Sequence, residues 1–235
     1  MQTIQQFLLI APILLFSVIA HEIAHGWAAL RQGDRTALDA GRLTWNPRPH
    51  IDPFFTILLP IMTIAGSVAA GGRPMVFGGA KPVPVDPRNY RHPRLGDIIV
   101  SLAGVATNAV IVIVCVALFA LTGALGHAAP ALLGTLGVVQ AMCVIGVQLN
   151  ALLIAFNLLP IPPLDGSHVF KYLLPRPLAV QYVRFSRFGL IVLVMLLAWG
   201  ERLLSAWMTP FFTVAEGLLS LAQASLLVTT GQWVR

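Results

Sequence analysis

Charge is what this sequence has least of. Only 10% of its 235 residues are Asp, Glu, Lys or Arg, and residues 98–164 contain none of the four. Soluble domains carry about 25%, so a water-soluble globular protein is excluded. At roughly 20 residues per crossing, the uncharged stretch alone holds two membrane spans. Acids are scarcer than bases, nine against fifteen, which leaves a net charge of +6. In a soluble protein that excess would raise nucleic acid as a partner. Here the basic residues stand in the connections between apolar runs, which points to membrane orientation and anionic lipid, with no nucleic acid partner. The two cysteines, Cys115 and Cys143, both lie in apolar runs; they do not make a disulfide framework and are expected to be small core residues. No Lys or Arg precedes the first apolar run, residues 7–20, so a cleaved signal peptide is not expected.

What is present is a series of apolar runs separated by polar punctuation. The first is expected to be one helix over residues 5–30, ended by Arg31-Gln32-Gly33-Asp34. A polar, Pro-containing segment follows, and residues 54–68 are then apolar for about the length of a short or re-entrant span. So much Gly and Pro crowds residues 71–86 that a regular helix is excluded, and alternation over residues 75–85 predicts extended backbone. Arg88, Arg91 and Arg94 form a basic rim before a third span at residues 97–122. An uncharged turn at 123–134 leads to a fourth span at 135–159, stopped by Pro160-Ile161-Pro162-Pro163. Two more spans are expected at 188–207 and 211–228, interrupted near Glu201-Arg202 and Pro210. The expected fold is an all-α polytopic membrane protein of about six transmembrane or re-entrant helices. It forms a single domain over residues 1–235, with a core at 5–171 and a C-terminal helical pair at 183–230.

An ionisable group in the bilayer costs roughly 2.5–3.5 kcal/mol on insertion scales, so each one is a functional candidate. The inventory is His21, Glu22, His25, Asp165, His168, Glu201 and Glu216. His21 and His25 are four apart on a helix, which puts two imidazoles on one face, one turn apart, where they can grip one zinc ion. With Glu22 they make H-E-x-x-H, in which the Glu is a general base rather than a ligand. A zinc site with a catalytic water needs a third protein ligand. Ala28 and Arg31 stand where a metzincin would need Gly and His. Glu201 and Glu216 are available but have easier explanations at the membrane interface, so Asp165 is the better candidate; His168, three residues on, is a neighbour of undetermined role.

His21-Glu22-Ile23-Ala24-His25 and Asn157-Leu158-Leu159-Pro160-Ile161-Pro162-Pro163-Leu164-Asp165-Gly166 together resemble the paired H-E-x-x-H and N-x-x-P-x-P-x-L-D-G signatures of site-2 proteases, the intramembrane zinc metalloproteases. The segments Gly78-Gly79-Ala80-Lys81-Pro82-Val83-Pro84-Val85 and Ser101-Leu102-Ala103-Gly104-Val105-Ala106-Thr107-Asn108 are similar to stretches of the compact bacterial and archaeal members. The resemblance covers residues 7–171. It implies one Zn2+ per chain held by His21, His25 and Asp165, and Glu22 as general base. Asn157, and also Asn108, would orient substrate or stabilise the developing oxyanion. The substrate implied is a membrane-spanning protein cut within its span. Small members often have Pro where Val105 stands and Trp where Gly79 stands. No PDZ or CBS domain is expected.

Basic flanks place Asp97 and Asp165 on the cytoplasmic side, and the first helix must then run inward for His21 and His25 to reach the depth of Asp165; the resemblance and the compact chain imply a bacterial plasma membrane. Extended backbone at membrane depth is tolerated only where protein or a water-filled cavity satisfies it. The stretch at 75–85, with Gly78, Gly79, Lys81, Pro82 and Val83, is therefore expected to line the active site and to offer a strand edge to an unwound substrate. Competing readings are a non-catalytic zinc-binding membrane protein, which has no use for a base such as Glu22 beside the metal, and a small transporter, which would need polar groups distributed along its pore.

Overall fold

A chain in hydrocarbon satisfies its backbone polar groups most simply by hydrogen bonding to itself, so uninterrupted apolar sequence becomes helix. The computed structural model describes residues 2–58, 61–62 and 79–222, and among these there are helices and connecting backbone but no strand. The α-helices are α1 (Gln2–Gln32), α2 (Thr36–Asp39), α3 (Pro93–Ala128), α4 (Leu133–Asn157), α5 (Asp165–Phe170), α6 (Arg176–Phe185), α7 (Gly189–Trp199) and α8 (Glu201–Leu221). Among the described residues, four stretches are long and apolar enough to cross a membrane: Leu8–Gln32, Pro93–Ala128, Pro130–Asn157 and Arg176–Trp199. Large side chains such as Val110, Ile113 and Val114 on α3 and Ile191, Val194 and Met195 on α7 stay exposed, as lipid-facing positions do when the solvent is itself apolar. The all-α polytopic membrane fold is thus observed.

Boundaries differ from expectation in two places. The third span continues through Gly123 and Gly126 to Ala128, and only a 3-10 turn, Pro130–Leu132, separates it from α4; glycine is tolerated in a membrane helix where water cannot compete for its backbone. Near the C-terminus the helix does not break at Pro210, which lies inside α8. It breaks at Gly200, between α7 and α8, so residues 188–207 are not one span. Of the expected span at 54–68, residues Pro53–Leu58 form a π-helical turn; residues 59–60 and 63–68 lie outside the described residues, as do 69–78 and 223–235.

The chain divides into two compact units: residues 1–17 with 105–235, and residues 18–104. In the first, α4 packs on α8. Val112, Val147, Ala151 and Ala215 make one cluster and Phe119, Cys143 and Ala222 another; Cys115 and Cys143 are free thiols. Asn150, fully buried, donates from Nδ2 to Ser17 Oγ at 2.9 Å and to the Gly146 carbonyl at 2.8 Å.

In the second unit the end of α1 is a chemical device. Gly33 has φ +107°, its N–H donates to the Leu30 carbonyl at 3.1 Å, and Asp34 N–H donates to the Ala29 carbonyl at 3.0 Å. That is the Schellman pattern, which needs a glycine at the left-handed position. The Gln32 carbonyl is taken by Arg91 N–H at 2.7 Å. Asp34, with no exposed surface, gathers Thr36 N–H and hydroxyl, Asn89 Nδ2 and Asp86 N–H on its carboxylate. Burial pushes its pKa up, but those hydrogen bonds together outweigh burial and hold it below the usual aspartate value. Asp34→Ala is therefore expected to cost about 2–4 kcal/mol at neutral pH. A lowered folded-state pKa means this stabilisation is fully present above the unfolded pKa of about 4 and is lost as pH falls through the folded value. Thermal unfolding in detergent should show a wild-type-to-variant gap that is wide at pH 7 and narrows in acid.

Candidate active site

The H-E-x-x-H pentapeptide lies in α1, and its helical spacing sets the two imidazoles against each other as expected. His21 and His25 are both buried, and their Nε2 atoms are 3.0 Å apart. The His25 ring is fixed from behind: its Nδ1 lies 2.7 Å from the Val100 carbonyl, to which it can only donate. That selects the tautomer whose Nε2 carries a lone pair, the arrangement of a metal-ligating histidine. A tetrahedral zinc with Zn–N bonds of about 2.05 Å sets two imidazole nitrogens roughly 3.3 Å apart, so the pair fits that ion with little movement.

Room for the His21 ring comes from a missing side chain on α3. A Cβ at Gly104 would lie 2.5 Å from His21 Cε1 and 2.6 Å from both of its ring nitrogens. Gly104 stands in the Ser101–Asn108 stretch that resembles the compact site-2 proteases, but nothing in the sequence alone says what that glycine faces.

Glu22 is half-buried and points its carboxylate at the extended segment: Val83 N–H donates to Glu22 Oε2 at 2.7 Å. The segment is gripped along the same edge elsewhere. Thr56 Oγ1 donates to the Gly79 carbonyl at 2.8 Å, Lys81 N–H to the His50 carbonyl at 2.8 Å, and Arg42 Nη2 to the Lys81 carbonyl at 2.7 Å. Gly79, Lys81 and Pro82 are exposed while Val83 is buried; Gly78 lies outside the described residues. Arg42 and His50, both buried, were read from sequence only as part of a polar connection. Their role as a clamp on Lys81 has no sequence signal, because it depends on a partner 39 residues away in one case.

Asp165 is the first residue of α5, directly after a connection that contains a cis Pro162-Pro163 bond. Gly166 explains the Asp-Gly order: a Cβ there would strike the carbonyls of Leu158 and Leu159, so only glycine lets α5 start so close to the end of α4. Three later contacts hold the connection. Tyr182 hydroxyl donates to the Pro160 carbonyl at 3.1 Å, Trp207 Nε1 to the Ala155 carbonyl at 2.8 Å, and Gly189 leaves space for Pro162. Asp165 belongs to the first compact unit, and His21 and His25 to the second. Of the other candidates, His168, Glu201 and Glu216 are exposed. Asn157 ends α4 and donates from Nδ2 to the Leu153 carbonyl of its own helix at 2.9 Å, and Asn108 on α3 is fully buried.

Residues 9–197 match the model of peptidase family M50. The chain belongs to that family. It is 38% identical over 183 residues, 78% of this chain and 77% of the relative, to YwhC of Bacillus subtilis (strain 168), named as a zinc metalloprotease. It is 31% identical over 192 residues, 81% of this chain and 67% of the relative, to Rip2 of Mycolicibacterium smegmatis (strain ATCC 700084 / mc(2)155), also named as a zinc metalloprotease. No solved structure matches the chain. This M50 peptidase is thus a membrane metalloprotease of the site-2 protease type, and its metal is zinc.

The tight seat of the His21 ring gives a test. Gly104→Ala should weaken zinc binding at least about tenfold, the usual scale for disturbing a ligand's surroundings. Gly134→Ala, where an added Cβ meets nothing within 4 Å, should keep the wild-type zinc content when both are titrated with a chelator.

Proposed function

We propose that this M50 peptidase cuts transmembrane segments of membrane proteins in regulated intramembrane proteolysis, with zinc held by His21, His25 and Asp165 and with Glu22 as general base. The observation that carries the reading is the His21–His25 pair, with Nε2 atoms 3.0 Å apart and one ring locked by the Val100 carbonyl. A carboxylate on the adjacent residue sits within hydrogen-bond reach of the extended segment. Zinc bound there supplies a Lewis acid that polarises a peptide carbonyl and acidifies water. Glu22 takes the proton from water and returns it to the leaving amine. Asn157 orients the substrate backbone or stabilises negative charge on the carbonyl oxygen, and Asn108 is a second candidate for that role.

The family resemblance implies a single-span membrane protein as substrate, and its helix would have to unwind before a peptide bond reached these groups. The segment at 78–83, with Gly78, Gly79, Lys81, Pro82 and Val83, lines the groove. Its α1-facing edge is occupied by Thr56, His50, Arg42 and Glu22. The opposite edge has no N–H at Pro82 or Pro84, so a substrate strand added there would pair by donating its own amides to the Pro82 and Pro84 carbonyls. The basic connections favour an active site toward the cytoplasm, and the family resemblance favours a bacterial plasma membrane.

Zinc per protein in detergent-purified wild type, Asp165→Ala and Glu22→Gln tests the ligand set and the base together. One zinc in the wild type, a marked loss in Asp165→Ala, and full zinc with cleavage reduced by about a hundredfold or more in Glu22→Gln are expected. Full zinc in Asp165→Ala would remove it as a ligand. A second test concerns the substrate: a single-span protein with a Gly-Pro pair in its span should be cut faster than one with a poly-Leu span, and equal rates would sink the unwinding requirement.

A further inference from the structure

The Lys81-Pro82-Val83-Pro84-Val85 sequence removes two amide donors and leaves three, at Lys81, Val83 and Val85. In extended backbone, alternate residues turn their N–H groups to opposite edges, so the prolines delete the donors of one edge and spare those of the other. On the spared edge Lys81 N–H goes to the His50 carbonyl and Val83 N–H goes to Glu22 Oε2. Proline rings fix φ on both sides of Val83, and a residue before proline is itself confined to extended backbone. The Lys81 carbonyl is held in turn by Arg42, which is buried. Val83 N–H is thus presented on a stiff arm anchored two residues away.

We propose that this arm is a positioning device for the Glu22 carboxylate, with the Val83 amide as the positioning residue's working group and Pro82, Pro84 and Arg42 as its support. The reason lies in the side chain it serves. A glutamate on a helix face has three freely rotating bonds, and a general base must hold one oxygen toward its proton donor within a few tenths of an ångström. A hydrogen bond to Oε2 from a backbone amide removes that freedom and leaves Oε1 to face the reacting water. It also makes Glu22 sensitive to the segment that lines the substrate groove, so that a substrate seated on that segment finds the base already aimed. The inference rests on Glu22 being the base.

The experiment has a structural and a kinetic arm. In purified full-length protein, amide exchange at Val83, followed with 15N-valine labelling, should be at least about tenfold faster in Glu22→Ala than in wild type, as expected for loss of a charge-assisted hydrogen bond. An unchanged rate would overturn the proposal whatever the enzyme does. Val83→Pro then removes the N–H, and Val83→Ala keeps it. With a Gly-Pro-containing single-span protein as the probe, kcat of Val83→Pro should fall at least about tenfold below that of Val83→Ala, with equal zinc content and similar KM. Equal kcat in the two variants would overturn the positioning role. If Glu22→Gln cleaved the probe as fast as wild type, the assignment of the base would fail instead.

Discussion

Hydrocarbon offers no hydrogen bonds, so each place where this chain leaves the helix has to be satisfied by protein. Among the described residues three such places stand out. At the end of α1 the Schellman turn and the Asp34 carboxylate absorb the loose amides of residues 33, 34, 36 and 86. Along residues 79–83 the backbone is taken up by Thr56, His50, Arg42 and Glu22. At the C-terminal end of α4 the Ala155 carbonyl is met by Trp207, and beyond it the Pro160 carbonyl is met by Tyr182. The same requirement that makes irregular backbone costly in a membrane ties these segments down, and a segment tied down at several points can hold a reactive group still.

Close approach is the second theme. His21 lies against α3 only because residue 104 has no side chain, and α5 begins under the end of α4 only because residue 166 has none. Gly104 lies against one of the proposed metal ligands and Gly166 directly follows another. Neither is a glycine of conformational necessity: positive φ occurs among the described residues only at Gly33 and Gly41. Gly33 and Gly41 instead close α1 and α2, where a left-handed residue ends the helix and frees the chain to turn.

The stretches that were legible in the sequence are those whose meaning is local. Charge depletion over 98–164 gave the membrane, and the spacing of His21 and His25 gave a shared helix face, because both depend on periodicity and composition rather than on partners. Asp165 could be put forward only by elimination and by resemblance, since it is remote from the histidines in sequence. Of the two C-terminal interruptions, the one expected near Glu201-Arg202 falls at Gly200, and the one expected at Pro210 does not occur. Pro210 is the stronger helix breaker by propensity, yet it stays within α8 while Gly200 ends α7. A proline in an apolar helix loses one hydrogen bond that neighbours can compensate, and tertiary packing chooses where the chain turns.

The sequence by itself determined that this chain lives in a bilayer, that it carries two imidazoles and a carboxylate on one helix, and that its motif pair is that of a zinc peptidase, because composition and i, i+4 spacing act over a few residues. Tertiary structure decided the rest: which carbonyl orients His25, what Gly104 makes room for, and that the Lys81-Pro82-Val83 backbone turns an amide toward Glu22. Those are contacts between elements far apart along the chain, 75 residues apart for His25 and Val100 and 61 for Val83 and Glu22. No local pattern encodes them, since each depends on how two helices or a helix and an extended segment come to rest against one another.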